Sequence, residues 1–91
     1  MELMKSHSKR VMGLSVEKKL GYVYSVGEDG KFKVTEINSA SVVYDHTPGK
    51  SGLKYLIHHP ERGVFITADG DGFVYVYSAT LVSIPLLLNY I

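Results

Sequence analysis

The sequence predicts an all-β fold built from two similar four-stranded antiparallel units. Short segments rich in β-branched and aromatic residues alternate with Gly-containing turns along the chain. A shift of 42 residues also superposes the chain on itself without a gap, matching residues 11–36 with residues 53–78. Because the apolar positions keep their side-chain class across this shift, both units are expected to fold in the same way.

The first strand of each unit is predicted to carry a β-bulge. Val11 and Leu14 are three residues apart, whereas Leu14 and Val16 are two residues apart. Residues that share one face of a regular strand are two apart, so the longer spacing indicates one extra residue. The bulge is expected near Met12 and, at the matching place in the second unit, near Lys54.

The second and third strands are predicted to form a hairpin in each unit. The strands at 22–26 and 64–68 are each followed within three residues by an Asp-Gly turn, at Asp29 and at Asp71. Gly accepts the positive φ of a tight turn without penalty, and Asp tolerates it. Each unit is therefore expected to reverse direction at its Asp-Gly pair.

A fourth, shorter strand is predicted after each hairpin, at 41–44 and at 83–86, where Pro85 fits only an edge strand. Four antiparallel strands per repeat, covered on both faces by like neighbours, describe a blade of a β-propeller. Two blades cannot close a ring, so the predicted fold is incomplete by itself. The predicted organisation is an N-terminal extension at 1–5, a first blade at 6–47, a second blade at 48–86 and an apolar tail at 87–91.

The first unit resembles the repeat of the WD-repeat β-propeller family. The stretch "SHSKRVMGLSV" matches the opening of that repeat through His7. The stretch "SVGEDG" matches its hairpin turn, because Ser25 and Asp29 follow His7 by 18 and 22 residues, as in the family pattern. The Trp-Asp pair that ends the family's third strand is absent, since Thr35-Glu36 and Tyr77-Ser78 stand in its place.

The resemblance implies a buried structural network that links the opening segment of each blade to its hairpin turn. Gly49 occupies the position of His7, so the second blade is expected to depend more on apolar packing. A buried polar network specifies geometry when its members are satisfied and is costly when they are not. The matching residues are His7, Ser25 and Asp29 in the first unit and Thr67 and Asp71 in the second.

The resemblance also implies a function and a binding surface. Propellers of this family act mainly as rigid platforms for other proteins, although fold alone does not assign a partner. We therefore expect a protein–protein interaction scaffold, as a fragment of a larger propeller protein. The alternative is a small self-assembling structural protein whose copies complete the ring, and a carbohydrate- or lipid-headgroup-binding module is a third reading. The contact residues carried over from the family are Arg10, Met12, Glu28, Gly52, Lys54 and Gly70.

The sequence predicts no enzyme and no catalytic, cofactor or metal site. Ser25 lies within a strand, without a Gly-x-Ser-x-Gly turn or a Gly-rich oxyanion segment. The "DGDG" stretch at 69–72 lacks the acidic fifth position of a calcium loop, where Phe73 stands. His58 and His59 are neighbours in a predicted strand and point to opposite faces, so they are not expected to chelate one ion.

The composition is that of an ordinary globular chain. Ten Lys and Arg residues offset nine Asp and Glu residues, so neither nucleic acid nor an anionic membrane is an expected partner. The absence of Cys excludes disulfides and thiolate metal sites. The apolar segment 81–91 is shorter than the roughly 20 residues of a membrane helix, and 1–10 lacks the apolar core of a secretory signal. We expect a cytoplasmic protein that binds a protein partner or further propeller blades, or that associates with its own copies.

Overall fold

The computed structural model of the protein describes residues 5–19, 21–78 and 88–90. The regular structure in these ranges is entirely β-strand. The strands form two four-stranded antiparallel sheets, in the orders β1-β2-β3-β4 and β5-β6-β7-β8. Their bounds are β1 (Val11–Glu17), β2 (Tyr22–Gly27), β3 (Phe32–Glu36), β4 (Ser41–His46), β5 (Leu53–His59), β6 (Val64–Asp69), β7 (Val74–Ser78) and β8 (Leu88–Tyr90).

The predicted all-β fold with two antiparallel sheets is confirmed. Within the apolar tail expected at 87–91, Leu88–Tyr90 form β8, which pairs with β7. A strand edge presents unpaired N–H and C=O groups, and this pairing satisfies those of β7. The strand predicted at 83–86 lies outside the described residues.

Both predicted bulges are present. The register of β1 against β2 shifts by one residue at Met12, and the register of β5 against β6 shifts at Lys54. The extra residue explains why Val11 and Leu14 are three apart, because it restores the alternation of side chains beyond the bulge.

The two sheets pack face to face over a core dominated by aromatic rings. Tyr24 of β2 stacks on Phe65 of β6 with ring centroids 3.9 Å apart, and Phe32 of β3 stacks on Tyr77 of β7 at 4.1 Å. Aromatic pairs of this kind add about 0.5–1.5 kcal/mol each beyond the area they bury. The buried apolar residues are Tyr24, Val26, Phe32, Val34 and Tyr44 of the first sheet and Leu53, Phe65, Tyr75 and Tyr77 of the second.

The sheets come closest where β5 crosses β1 and β2. A Cβ atom at Gly13 would lie 2.9 Å from Leu56 Cβ and 3.1 Å from Leu56 N, distances that a side chain could not tolerate without a shift of β5. Gly13 therefore allows Leu56 to pack directly on the first sheet.

Candidate functional site

The three predicted network residues of the first unit meet at the end of β2. His7 Nδ1 lies 3.0 Å from Asp29 Oδ1, and His7 Nε2 lies 2.8 Å from Ser25 Oγ. With Nδ1 donating to the carboxylate, Nε2 accepts the hydroxyl proton of Ser25. The Asp29 carboxylate also accepts the backbone N–H groups of Ser8 and Lys31. These contacts attach the segment before β1 to the turn between β2 and β3.

The charge of Asp29 is supported by these hydrogen bonds. Burial by itself raises the pKa of the Asp29 carboxyl, but the hydrogen bonds from His7, Ser8 and Lys31 outweigh burial. The pKa of Asp29 therefore lies below its ordinary value of 3.8. An ionised carboxylate holds the turn at neutral pH.

The His7, Ser25 and Asp29 side chains have the connectivity of a hydrolytic triad, but their surroundings suit a structural role better. Ser25 is buried in β2, the strand between β1 and β3, where its neighbours are Leu14 and Lys33. The ladders on both sides use the backbone N–H groups that an oxyanion hole would need. A reacting carbonyl would therefore find no preorganised donors beside the Ser25 hydroxyl.

In the second unit the buried carboxylate belongs to Asp69, and the expectation for Asp71 is corrected. Asp69 Oδ1 accepts the backbone N–H groups of Asp71 at 2.9 Å and Phe73 at 3.0 Å. Asp69 Oδ2 accepts the Tyr75 hydroxyl at 2.7 Å. The turn bends around Asp69, so the side chain of Asp71 is left exposed.

Asp69 forms its cluster without Thr67, the other residue predicted for this network. Burial raises the pKa of the Asp69 carboxyl, but the Tyr75 hydroxyl and the backbone N–H groups of the turn outweigh it, so the pKa lies below 3.8. Thr67 is fully buried, yet its hydroxyl has no hydrogen-bond partner among the described residues.

Two glycines make room for the two arrangements. A Cβ atom at Gly27 would lie 2.7 Å from His7 Nδ1 and 2.8 Å from Asp29 Oδ1. A Cβ atom at Gly49 would lie 3.1 Å from Asp69 Oδ2. Under the 42-residue shift Gly27 corresponds to Asp69 and Gly49 corresponds to His7. This reciprocal exchange of glycine is the sequence signal that would have identified Asp69.

Four of the six predicted contact residues surround one polar pocket at the edge where the two sheets meet. The pocket has a volume of about 350 Å³. The opening segment of the second unit and the hairpin turns of both units converge there. We call it the rim pocket, and it is lined by Lys9, Glu28, Ser51, Gly52, Lys54 and Gly70.

The rim pocket carries more positive than negative charge. Lys9 and Lys54 face Glu28, and Arg10 Nε lies 3.8 Å from Glu28 Oε1. Both members of that pair are exposed, so their attraction contributes little to stability. Arg10 therefore lies beside the pocket, whereas Met12, half exposed on the bulge, is not among the lining residues.

The two glycines of the rim pocket differ in what they allow. A Cβ atom at Gly52 would lie 2.7 Å from the Glu28 carbonyl oxygen and 2.9 Å from Glu28 Cα, so Gly52 permits close approach of two backbones. A Cβ atom at Gly70 would lie 3.4 Å from Lys54 Cε, an ordinary contact. The Ser51 hydroxyl is buried without a partner among the described residues, so it can still accept or donate.

Comparison with known proteins bears on the fold alone. No family model matches the chain, and no curated protein matches it. A solved structure described as the crystal structure of the computationally designed Ika4 protein is similar, with a TM-score of 0.71 and 23% sequence identity. The similarity covers 85% of this chain and 46% of that one, so the chain spans less than half of that structure.

The described residues contain neither a membrane-spanning helix nor a cluster of metal-ligating side chains. In the ranges that the structure describes, no helix is long and apolar enough to cross a membrane. No group of three or more His, Cys, Asp or Glu side chains in the same ranges could hold a metal ion.

Proposed function

We propose that this chain is a protein–protein interaction module made of WD-type propeller blades, part of a larger propeller, and that the rim pocket is its binding surface. The observation that carries the proposal is the convergence of Glu28, Gly52, Lys54 and Gly70 on one pocket. These residues come from two units, and the resemblance to the WD-repeat family predicted them as contact residues. No catalytic step is part of the proposed function.

The repeated geometry of the sheets supports the assignment to blades. Both sheets have four antiparallel strands in sequential order, and both have their bulge at the same place in the first strand. The sheets also stack face to face, as neighbouring blades of a propeller do.

The chemistry of the rim pocket favours a peptide or protein ligand. Its volume falls within the roughly 300–1,000 Å³ that binding pockets commonly have. Lys9 and Lys54 offer ammonium donors, and Ser51 lines the pocket beside them. These groups suit a carboxylate-bearing segment of a partner. Because the pocket is built at the ends of hydrogen-bonded strands, little ordering is needed on binding.

A peptide-display selection against the 91-residue chain tests the proposal. Binding peptides are selected on the wild-type chain, and their affinities are then measured by isothermal calorimetry. The substitution Lys54→Glu places a second carboxylate in the pocket, so we expect a loss of about tenfold or more, equivalent to about 1.4 kcal/mol. Glu28→Lys is expected to alter which peptides bind.

Lys18→Glu is the matched control, because Lys18 is exposed in the turn at the opposite end of the first sheet. It makes the same charge change as Lys54→Glu, and we expect it to leave peptide affinity within about twofold. Selected peptides that bind Lys54→Glu and Lys18→Glu with equal affinity would place recognition on another surface.

A further inference from the structure

The strand register divides each sheet into an inner face, which packs against the other sheet, and an outer face. Residues directly opposite each other in paired strands share a face. The first outer face carries Leu14, Val16, Val23, Ser25, Lys33 and Thr35. The second outer face carries Tyr55, Ile57, Ile66, Ala68, Val74 and Val76.

Under the 42-residue shift, the outer face of each sheet corresponds to the inner face of the other sheet. Inside the chain, Tyr24 of the first sheet stacks on Phe65 of the second. Under the 42-residue shift Phe65 corresponds to Val23, which lies on the first outer face. Tyr24 corresponds to Ile66, which lies on the second outer face. The first outer face of one copy can therefore meet the second outer face of another by repeating the contact within the chain.

The first outer face contains an apolar hollow of about 450 Å³. The hollow exists because two smaller residues take the places of aromatic ones. Under the 42-residue shift, Val23 corresponds to Phe65 of the second sheet, and Thr35 corresponds to Tyr77. Both replacements remove an aromatic ring from the surface. The apolar side chains that line the hollow are Val11, Leu14, Val23, Ile37 and Ala40.

The second outer face carries a projecting aromatic ring that matches the hollow. Tyr55 is 66% exposed and corresponds to Gly13, the residue that packs against Leu56. Leu56 in turn corresponds to Leu14, which lines the hollow and is 64% exposed. The equivalent contact between two copies thus places Tyr55 of one copy opposite Leu14 of the next. Because a side chain at the Gly13 position is not tolerated at the spacing of the internal contact, the two copies lie farther apart than the two sheets, and the Tyr55 ring extends across the gap into the hollow.

We propose that copies of this chain associate head to tail, with Tyr55 of one copy inserted into the apolar hollow beside Leu14 of the next. The association buries both outer faces, which otherwise leave Val16 and Ile57 more than half exposed. Soluble monomers rarely tolerate contiguous apolar patches beyond a few hundred Å². A head-to-tail contact closes into a ring when its rotation permits and otherwise continues as an open chain. The rim pocket lies at an edge of the sheets, so the association leaves it open. The inference rests on the blade part of the proposed function, with the further blades supplied by other copies of this chain.

Light scattering coupled to size-exclusion chromatography tests the association with variants that each block one face. Leu14→Glu blocks the hollow, and Tyr55→Glu blocks the projecting ring. We expect the wild type to exceed the chain mass of 10.1 kDa, and each variant alone to elute at that mass. An equal mixture of the two variants retains one intact contact, so we expect it to form a complex of two chains. Phe73→Glu is the matched control, because Phe73 is 58% exposed in the β6–β7 turn and lies on neither face.

A fluorescence measurement gives a second readout, because the chain has no Trp. The doubly substituted chain Leu14→Glu/Tyr55→Trp has a blocked hollow and a single Trp in the projecting position. Adding excess Tyr55→Glu chain, which has an intact hollow, is expected to shift the emission to shorter wavelength. Adding a chain with both Leu14→Glu and Tyr55→Glu should leave the emission unchanged. A wild type at 10.1 kDa, a mixture that stays at that mass, or an unshifted emission would each overturn the proposal.

Discussion

The two units fill the same volume at the end of their second strands with different groups. In the first unit, His7 reaches in from the segment before β1 and meets Asp29. In the second, Asp69 fills the space from the strand itself and accepts the Tyr75 hydroxyl. The backbone geometry is repeated while the hydrogen-bonding groups are exchanged. A repeat of this kind therefore preserves a volume to be filled by polar groups, and it does not require the same residues to fill it.

The exchange has a consequence for how the chain is held together. His7 attaches residues before β1 to the first sheet, so the first unit depends on a contact across 22 residues. The Asp69 cluster is local, because the groups that donate to its carboxylate lie within six residues. Substitutions in the two clusters should therefore differ in their effect on stability.

The largest effect is expected from Gly27→Asp, which gives the first unit the carboxylate that the second unit has at Asp69. Gly27→Asp would put side-chain atoms against His7 and Asp29 and a second carboxylate beside the first. We expect a loss of about 3 kcal/mol in the free energy of unfolding, from overpacking together with broken hydrogen bonds. The measurement is denaturant unfolding at a fixed protein concentration. In the double variant His7→Gly/Gly27→Asp the contact with the imidazole is removed and only those with Asp29 and Arg10 remain, so part of the loss should be recovered, and equal losses would contradict the exchange.

The next largest effect is expected from removing the imidazole. His7→Ala should lower the free energy of unfolding by roughly 1–3 kcal/mol, because Ser25 and Asp29 remain buried and lose their shared partner. Lys50→Ala is the control in the opening segment of the second unit, and its exposed side chain should make the change less than about 0.5 kcal/mol. If the two variants unfold at the same denaturant concentration, His7 does not hold the first unit.

Unfolding measured at decreasing pH should show how much the Asp29 and Asp69 carboxylates stabilise the fold. Asp29 and Asp69 have lower pKa values in the folded state than in the unfolded chain, so their ionised forms stabilise the fold. As the pH falls through about 3.8, the unfolded chain takes up protons first, and this stabilisation disappears as the folded carboxyls are protonated. We expect the melting temperature to fall in this range. Asp29→Asn and Asp69→Asn should each flatten the decline, and an unchanged slope in both would contradict the assignment.

The smallest effect is expected from removing the hydroxyls of Ser25 and Thr67, which correspond under the 42-residue shift. The Ser25 hydroxyl donates a hydrogen bond to His7 Nε2, whereas the Thr67 hydroxyl is buried without a partner among the described residues. Ser25→Ala should therefore cost about 1 kcal/mol, and Thr67→Val should change the free energy of unfolding by less than about 0.5 kcal/mol. A larger loss for Thr67→Val than for Ser25→Ala, measured by thermal unfolding, would show that the polar cluster of the second unit includes Thr67.

The strands and bulges could be predicted because their signals are local. Alternation of apolar residues and the three-residue spacing of Val11 and Leu14 depend only on the period of a strand. The carboxylate of the second cluster could not be predicted in this way. The alignment places Asp71 on Asp29, whereas the turn directs Asp69 inward, and in the sequence this difference is recorded only by the exchange of glycine between the two units.

Four residues around the rim pocket could be predicted from the sequence, whereas the contacts between them could not. The family resemblance predicted Glu28, Gly52, Lys54 and Gly70 as contact residues, and the structure brings them around one cavity. The role of Gly52 depends on how closely the second unit approaches the turn after β2. That distance is set by the packing of two sheets, which no local pattern records.

By itself, the sequence determined that the chain forms two similar antiparallel sheets, because strand period, turn residues and the 42-residue repeat are properties of short segments. Only the tertiary structure decided which groups share each buried volume. The stacking of the second sheet on the first fixes the place of Leu56 over Gly13 and leaves the hollow beside Leu14 on the opposite face. Side-chain volumes and hydrogen-bond partners are set by contacts between residues far apart in the chain, so they appear only when the sheets are packed.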